Sequence, residues 1–402
     1  MPEAVIVAAG RSPIGRAFKG SLVNERPDDL TALVVCQVLE QVPELDPHMI
    51  EDLLVGCGMP AGESGFNLAR VVAILAGLHD VPGVTVNRYC SSSLQTIRMA
   101  AHAIRAGEGD VFVAAGVETI SRLGAGMSDI DAAANDVFAS ARERSAQRSL
   151  GGAEPWTPPT GLPDAYIAMG QTAENVAQLE NVTRNEMDEF ALRSQELAVA
   201  HQRSGYFKDE IIPVPRADGV VVDADDGPRP DTSMERLSSL PAVFRPDGTV
   251  TAGNACPLND GAAAIVVMSD VRARELGIRP RARIVSSGVS GLNPEIMGLG
   301  PIEASRQALA RAGLTMDDID LVEINEAFAA QVLPSAKHLG VPLEKLNVRG
   351  GAIALGHPFG MTGARIMTTL LHSLEESGGR YGLETMCVGG GQGMAMIIER
   401  LD

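Results

Sequence analysis

The sequence predicts a layered α/β protein made of two copies of one βα unit, the first copy interrupted by a long excursion. Three observations carry this. Apolar strand-like runs alternate with amphipathic helical runs, the mark of layered α/β architecture. The alternation breaks after Ser121 and resumes near Thr251. The series on either side of the break match one another run for run.

Residues 2–9 read as a buried strand and Arg11-Ser-Pro-Ile-Gly15 as a turn. Pro27-Asp-Asp-Leu30 opens a helix to about Gln41, with acidic residues where the helix dipole favours them. Residues 50–56 form a strand, 67–77 a helix and 84–89 a second strand, which ends at Cys90. Leu94, Ile97, Ala101 and Ile104 follow at helical spacing, and 110–116 is the next strand. Residues 122–165 then hold glycines, charges and Pro155-Trp-Thr-Pro-Pro-Thr-Gly161; 171–205 are helical, and 206–250 are Pro- and Asp-rich and irregular. Excursions of this size inside a compact domain are usually functional. Arg142, Arg144, Arg148, Arg184, Arg193, Arg203 and Lys208 give this one a local basic supply.

Gly253-Asn-Ala-Cys-Pro-Leu-Asn-Asp-Gly261 is a polar turn, and 262–268 return as a strand. The second series runs from a strand at 281–286 through a helix at 303–312, a strand at 319–325 and a helix at 326–339. Residues 346–355 lead into the loop Gly356-His-Pro-Phe-Gly360. A helix with Ile366, Met367, Leu370, Leu371 and Leu374 on one face follows, then strands at 384–388 and 394–398 around three glycines. The expected organisation is therefore 1–121 as the first part of the N-terminal half, 122–250 as an inserted loop domain, 251–275 as a returning strand, and 276–402 as the C-terminal half.

The two copies align closely. Ile50-Glu-Asp-Leu-Leu-Val55 resembles Ile319-Asp-Leu-Val-Glu-Ile324, and strand 111–115 parallels 385–388. Cys57 precedes Cys90 by 33 positions, and Asn325 precedes His357 by 32. Duplicated halves place equivalent loops on one side, which predicts that Cys90, Asn325, His357 and Cys387 meet.

Composition narrows the function. A chain of 402 residues implies two or three domains, and 45% hydrophobic with 21% charged residues is ordinary for a soluble globular protein. The net charge of −18 argues against nucleic acid or anionic membrane as the main partner, but leaves an anionic small ligand open. Five scattered cysteines without a Cys-x-x-Cys fit a reducing compartment. The start reads as a strand rather than a targeting segment, the end carries no peroxisomal signal, and no run of about 18 apolar residues spans a membrane. Cytoplasm is the expected location. The seven histidines lie singly, so no metal site is expected.

Cys90 stands where a strand hands over to a helix. Three serines behind it are placed to cap the first helical turn, and the helix dipole there favours the thiolate, the nucleophile of covalent catalysis. The plain alternative is a buried structural cysteine. Cys36 and Cys57 lie in apolar runs and read as core; His48, His79, His102, His201, His338 and His372 read as surface or satisfied side chains.

Val86-Asn-Arg-Tyr-Cys-Ser-Ser-Ser-Leu-Gln95, Thr251-Ala-Gly-Asn-Ala255, Asn259-Asp-Gly-Ala-Ala263, Asn325-Glu-Ala-Phe-Ala329, Gly350-Gly-Ala-Ile-Ala-Leu-Gly-His-Pro-Phe-Gly-Met-Thr-Gly-Ala-Arg365 and Cys387-Val-Gly-Gly-Gly-Gln-Gly393 occur in this order. Together they resemble the signatures of the thiolases, the acetyl-CoA acyltransferases, over essentially the whole chain. The resemblance implies the thiolase fold, with two five-stranded βαβαβαββ halves and a loop domain inserted in the first. It implies ping-pong Claisen chemistry with coenzyme A as co-substrate and no bound cofactor. Cys90 is then the acylated nucleophile, His357 its base and Cys387 the second acid/base. Asn325 holds a water that with His357 forms one oxyanion hole, and the N–H groups of Cys90 and Gly389 form the other. Met169, Met297, Ala255, Cys256 and Phe328 match positions that line the acyl and CoA passage. A homodimer or homotetramer is also implied, open to docking on a hydratase/dehydrogenase subunit.

Two departures bear on the substrate. Cys256-Pro257 stands where the related motif has Ser-Gly, which weakens polar contacts to the pantetheine arm. Ala168 precedes Met169 where the acetoacetyl-CoA type often has histidine, which tilts the reading toward longer or bulkier chains in degradative β-oxidation. The alternatives are a biosynthetic acetoacetyl-CoA thiolase and, more distantly, a non-catalytic acyl-CoA or lipid-binding protein on this scaffold. Glu326 reads as a supporting residue rather than a catalyst.

Overall fold

A computed structural model describes residues 1–123, 134–152 and 154–401. Strands β1 (Ala4–Arg11), β2 (Asp52–Cys57), β3 (Gly83–Val86) and β4 (Val111–Thr119) alternate with helices α1 (Pro27–Leu39), α2 (Leu68–Leu75) and α3 (Ser92–Ala106). The inserted segment carries α4 (Ala139–Ser149), α5 (Met169–Glu180), α6 (Arg184–Ser204) and α7 (Met234–Ser238). Strand β5 (Asn259–Ser269) and helix α8 (Asp270–Leu276) return to the first half. The second half comprises β6 (Ala282–Gly291), α9 (Gly300–Ala312), β7 (Leu321–Ile324), α10 (Ala329–Leu339), α11 (Ala352–Leu355), α12 (Thr362–Ser377), β8 (Tyr381–Val388) and β9 (Gln392–Arg400).

The strand path is β3-β2-β4-β5-β1 in the first half and β6-β9-β8-β7 in the second. Among the described residues the halves pair edge to edge only at Val5↔Arg283 and Ile6↔Ala282. Each has the same ladder signs: β2 pairs β4 in parallel as β7 pairs β8, and β4 pairs β5 antiparallel as β8 pairs β9. Three apolar clusters divide the packing into layers. One lies between the sheets around α3 and α12, one under α1 and α2, and one under α9 and α10. Leu94, Ile97 and Ile104 of α3, with Ile366, Leu370 and Leu374 of α12, fill the central layer, so the two helices that follow the Cys90 and His357 loops lie together in it.

The structure adjusts several expectations. The second half has four strands, and its fifth is reduced to a parallel bridge between Val322 and Leu346. Asn347 explains this: its side chain accepts from Ile324 N and donates to Ile324 O, taking the ladder bonds, and its φ of 44° turns the chain away. Helix α9 begins at Gly300 rather than 303, with Pro301 in the first turn, where a missing N–H costs nothing. Helix α10 begins only at Ala329, because Asn325 N bonds Thr385 O and Phe328 is extended, bridging Ala255. The irregular stretch 206–250 contains a two-stranded ribbon, Val214–Pro215 with Val221–Val222, and α7. Residues 124–133 and 153 of the expected insert, and the terminal Asp402, lie outside the described residues.

Two interactions hold the insert down. Arg11 at the end of β1 is fully buried; its Nε donates to Glu210 at 2.9 Å, and Nη1 and Nη2 donate to the two oxygens of Asp225 at 2.8 and 2.9 Å. Met187, Phe190 and Ala191 of α6 join the outer cluster of the second half.

The halves also meet at backbone distance. A Cβ on Gly116 of β4 would lie 2.1 Å from Gly360 O, and one on Gly360 would lie 2.2 Å from Val117 O. Since neither backbone can give, Gly360→Ala is expected to destabilise the protein by about 3 kcal/mol, the upper end of overpacking costs. Urea denaturation monitored by circular dichroism checks this; an unchanged midpoint would contradict the close approach.

Candidate active site

Cys90 sits in a single 3₁₀ turn, Tyr89–Ser91, between β3 and α3. The serines do not cap α3 as the sequence suggests. Ser92 Oγ accepts from Arg88 N at 3.0 Å and donates to Tyr89 O at 2.7 Å, closing the turn on itself. Ser93 Oγ accepts from Ala364 N at 2.9 Å, tying the start of α3 to α12. Tyr89 adopts φ 43°, in the left-handed region that non-glycine residues rarely occupy, and its N–H is held by Asn87 Oδ1. The turn that holds Cys90 is thus locally strained and locally braced.

The dipole expectation for Cys90 is also corrected. Hydrogen bonds from its own N–H and from Gly389 N–H pull its pKa down, but dense packing desolvates the thiol and wins, pushing it up to about 11. The resting group is the thiol, so it needs a base.

His357 is the candidate base. It is buried, and burial, with the Arg365 charge as a smaller cause, drives its pKa down to about 3, so the imidazole is neutral. Thr362 Oγ1 lies 2.6 Å from Nδ1 and donates its own proton to Pro358 O at 2.7 Å. The hydroxyl oxygen therefore accepts from Nδ1–H, which leaves the lone pair on Nε2. Asn325 Nδ2 donates to that Nε2 at 3.3 Å, while Asn325 Oδ1 is buried without a protein partner. The His357 backbone N–H donates to Asn259 Oδ1 at 2.9 Å, and Asn259 Nδ2 is anchored on Gly15 O.

Cys387 is the penultimate residue of β8 and is buried. Burial pushes its thiol well above the usual range, with the Cys90 and Cys256 thiols adding to the effect, so three sulfur groups face one another. Gly389, two residues on, forms a slot: a Cβ there would touch the Tyr89 ring at 3.5 Å and Met169 Sδ at 3.7 Å. Met169, Met297, Ala255, Cys256 and Phe328 all fall in one apolar cluster with Cys387. Cys256 N donates to Ala327 O at 3.0 Å, and Phe328 packs edge-on against Phe244 with ring centroids 6.1 Å apart. Beside them, Arg229, Arg236, Leu237, Leu240, Gly253 and Pro257 help line a cavity of about 210 Å³.

The structure thus brings Cys90, Cys387 and Gly389 together and pairs Asn325 with His357. Among the described residues Cys36 and Cys57 remain outside this group, and His48, His79, His102 and His338 are exposed. Glu326 accepts from Ser194 Oγ, Asn347 Nδ2 and Ile353 N, which fixes α11 just before the His357 loop. Sequence reading missed Thr362, Asn259, Tyr89 and Phe244. Thr362 and Asn259 lie inside the recurrent motifs, where their polarity was the available signal; Phe244 left none. The arrangement can move a proton from a thiol to imidazole, hold negative charge on two backbone N–H groups, and present a second thiol opposite the first.

The family model "Thiolase, N-terminal domain" matches residues 4–271 and "Thiolase, C-terminal domain" residues 278–400. The chain is 44% identical to a 3-oxoadipyl-CoA/3-oxo-5,6-dehydrosuberyl-CoA thiolase of Escherichia coli (strain K12) over 100% of both chains. It is 42% identical to a 3-ketoacyl-CoA thiolase of Bacillus subtilis (strain 168), over 99% of this chain and 100% of the relative. The crystal structure of the Bacillus anthracis acetyl-CoA acetyltransferase superposes with a TM-score of 0.85 at 40% identity, covering 100% of this chain and 99% of that one.

Thr362→Val keeps the shape beside His357 but removes the acceptor for Nδ1–H. Turnover is expected to fall between about 10- and 100-fold, part of the roughly 10²–10⁴ a placed general base supplies. Steady-state kinetics on the purified variant check this, and unchanged kcat would contradict the tautomer assignment.

Proposed function

The chain belongs to the thiolase family, and we propose that it cleaves a 3-ketoacyl-CoA with CoA to acetyl-CoA and a shortened acyl-CoA, as a degradative enzyme of fatty-acid or related β-oxidation. It is an acyltransferase of the thiolase type. The observation that carries the mechanism is the Cys90 thiol set beside the Cys387 thiol, together with a neutral imidazole whose Nε2 keeps its lone pair and faces Asn325.

His357 Nε2 takes the Cys90 proton, and the sulfur attacks the substrate's C3 carbonyl carbon. The C3 oxygen gains negative charge. The C2–C3 bond then breaks, its electron pair passes to the acetyl-CoA enolate, and the Cys387 thiol gives its proton to C2. Acetyl-CoA leaves and Cys90 is acylated. Incoming CoA gives its thiol proton to the Cys387 sulfur and attacks the acyl carbonyl; Cys90 leaves and recovers its proton from His357. The charge on oxygen appears twice, and two donor sets suit it: the N–H groups of Cys90 and Gly389, and the Asn325–His357 pair. Arg229 and Arg236 line the adjoining cavity with Gly253 and Pro257 and are assigned to the CoA phosphates. Starting from neutral groups suits a dry site, because no isolated charge need be buried before substrate arrives.

Ala168 supports the degradative direction. It caps α5 just before Met169 and stands where the acetoacetyl-CoA type often has histidine. The names of the relatives span 3-ketoacyl and 3-oxoadipyl substrates, and the solved neighbour is an acetyl-CoA acetyltransferase, so condensation of two acetyl-CoA is the second reading.

CoA-dependent thiolysis of acetoacetyl-CoA, 3-oxoadipyl-CoA and a long-chain 3-ketoacyl-CoA, measured in parallel, separates these. Higher kcat/KM on the long chain is expected; preference for acetoacetyl-CoA would move the assignment to the biosynthetic type. Cys90→Ala should lower turnover at least about 10³-fold, as loss of a covalent nucleophile does. Substantial residual thiolysis would sink the mechanism.

A further inference from the structure

Glu118 near the end of β4 plays no part in the proton path above, yet it is 1% exposed and lies against both loops of the site. Its Oε2 accepts from Gly58 N at 2.8 Å and from Gly360 N at 2.9 Å. Its Oε1 accepts from Met59 N at 3.2 Å and from the Cys57 thiol at 3.6 Å. Three of these donors belong to the end of β2 and the turn after it in the first half. The fourth lies three residues beyond His357 in the second half. One carboxylate therefore fastens the His357 loop to the half that carries Cys90.

The loop has two other fixings, Asn259 on the His357 N–H and Thr362 on the ring. Both act at or beside the imidazole. Glu118 acts at the exit of the loop, where Phe359 packs edge-on against His357 with centroids 5.1 Å apart. A shift of Gly360 would thus move the ring and its partner together.

We infer that Glu118 is a positioning residue for the reaction: as a carboxylate it holds the His357 loop at the distance that proton transfer from Cys90 requires, and protonation loosens that hold. The inference rests on the thiolase reading of the site. Protonation matters because four donors meet two carboxylate oxygens. An added O–H removes an acceptor site and puts a donor among N–H groups, leaving at least one unmatched.

The titratable groups facing Glu118 are Cys57 from β2 and Cys90 from the turn before α3; the His357 loop presents backbone to it. Burial raises its pKa to about 7, against the pull of the Gly360, Gly58 and Met59 N–H groups. The sign for stability follows from linkage. The folded-state pKa lies above the ordinary value, so the folded state binds more protons than the unfolded one between about pH 4.5 and 7. Acidification through that window favours folding through this group while it slackens the loop. A purely structural clamp would lose stability and activity together; Glu118 is expected to separate them.

The test is kcat, KM and Tm for the wild type, Glu118→Gln and Glu118→Asp from pH 5.5 to 9. The wild type should show kcat falling about tenfold per pH unit below about pH 7, with no matching fall in Tm. At pH 8 Glu118→Gln should lose about tenfold in kcat with KM within about twofold, and its acidic limb should flatten. Glu118→Asp, which keeps the charge, should restore the limb. Wild-type kcat and an unaltered profile in Glu118→Gln overturn the inference. If that variant does not fold, a wild-type profile flat through pH 6 overturns it instead. Should the wild type thiolyse none of the three substrates, the functional reading fails. The pH dependence of Cys90 alkylation by iodoacetamide, read by mass spectrometry, then decides Glu118 separately: an identical dependence in wild type and Glu118→Gln overturns the positioning role.

Discussion

The site depends on a contact between backbones that belong to different halves of the molecule. Gly116 and Gly360 approach too closely for any side chain on either. Around that contact the first half supplies a hydrogen bond at each point of the second half's loop: Asn259 to the His357 N–H, Glu118 to the Gly360 N–H, and Ser93 to the Ala364 N–H. The imidazole is therefore carried by one half and aimed by the other. Since the sheets share only two residue pairs at their edge, this loop contact and the apolar layer around α3 and α12 set the relative placement of the halves.

Electrostatics within the site is governed by desolvation. Cys90, Cys387 and Cys256 are all driven toward the thiol, and His357 toward the neutral ring. Helix dipole and backbone N–H groups oppose this at Cys90 without prevailing. The consequence is a site that starts uncharged and develops charge only as bonds change. Preformed N–H donors are then worth most, because they meet the negative oxygen without reorganising.

The insert completes the site from outside. Arg11 pins it through Glu210 and Asp225, a buried ion triad whose geometry is bidentate on the Asp225 side. Removing one member would leave a buried charge unmatched, a far greater loss than the net contribution of the intact set. From this anchored frame α5 brings Met169 beside Gly389, and Phe244 packs on Phe328. The described part of the insert thus lies against Gly389 and Phe328.

Much was legible in the chain itself. The βα alternation, the duplication, the excursion and the residues Cys90, Asn325, His357 and Cys387 all rest on local patterns: apolar periodicity, turn residues and short ordered motifs. Reading failed where a local rule met a distant partner. Three serines behind a cysteine look like a helix cap, yet Ser93 is taken by Ala364, 271 positions away. A fifth strand was expected in the second half, yet the Asn347 side chain occupies the ladder beside β7. Glu118 drew no notice because its partners, Gly58 and Gly360, are backbone groups with no signature of their own. Local sequence determined which elements form and which reactive groups stand at their ends, because propensity and periodicity act over a few residues. The protonation of those groups, the tautomer of His357 and the grip on its loop were decided only by the tertiary structure, because desolvation and cross-half hydrogen bonds depend on what folding brings near.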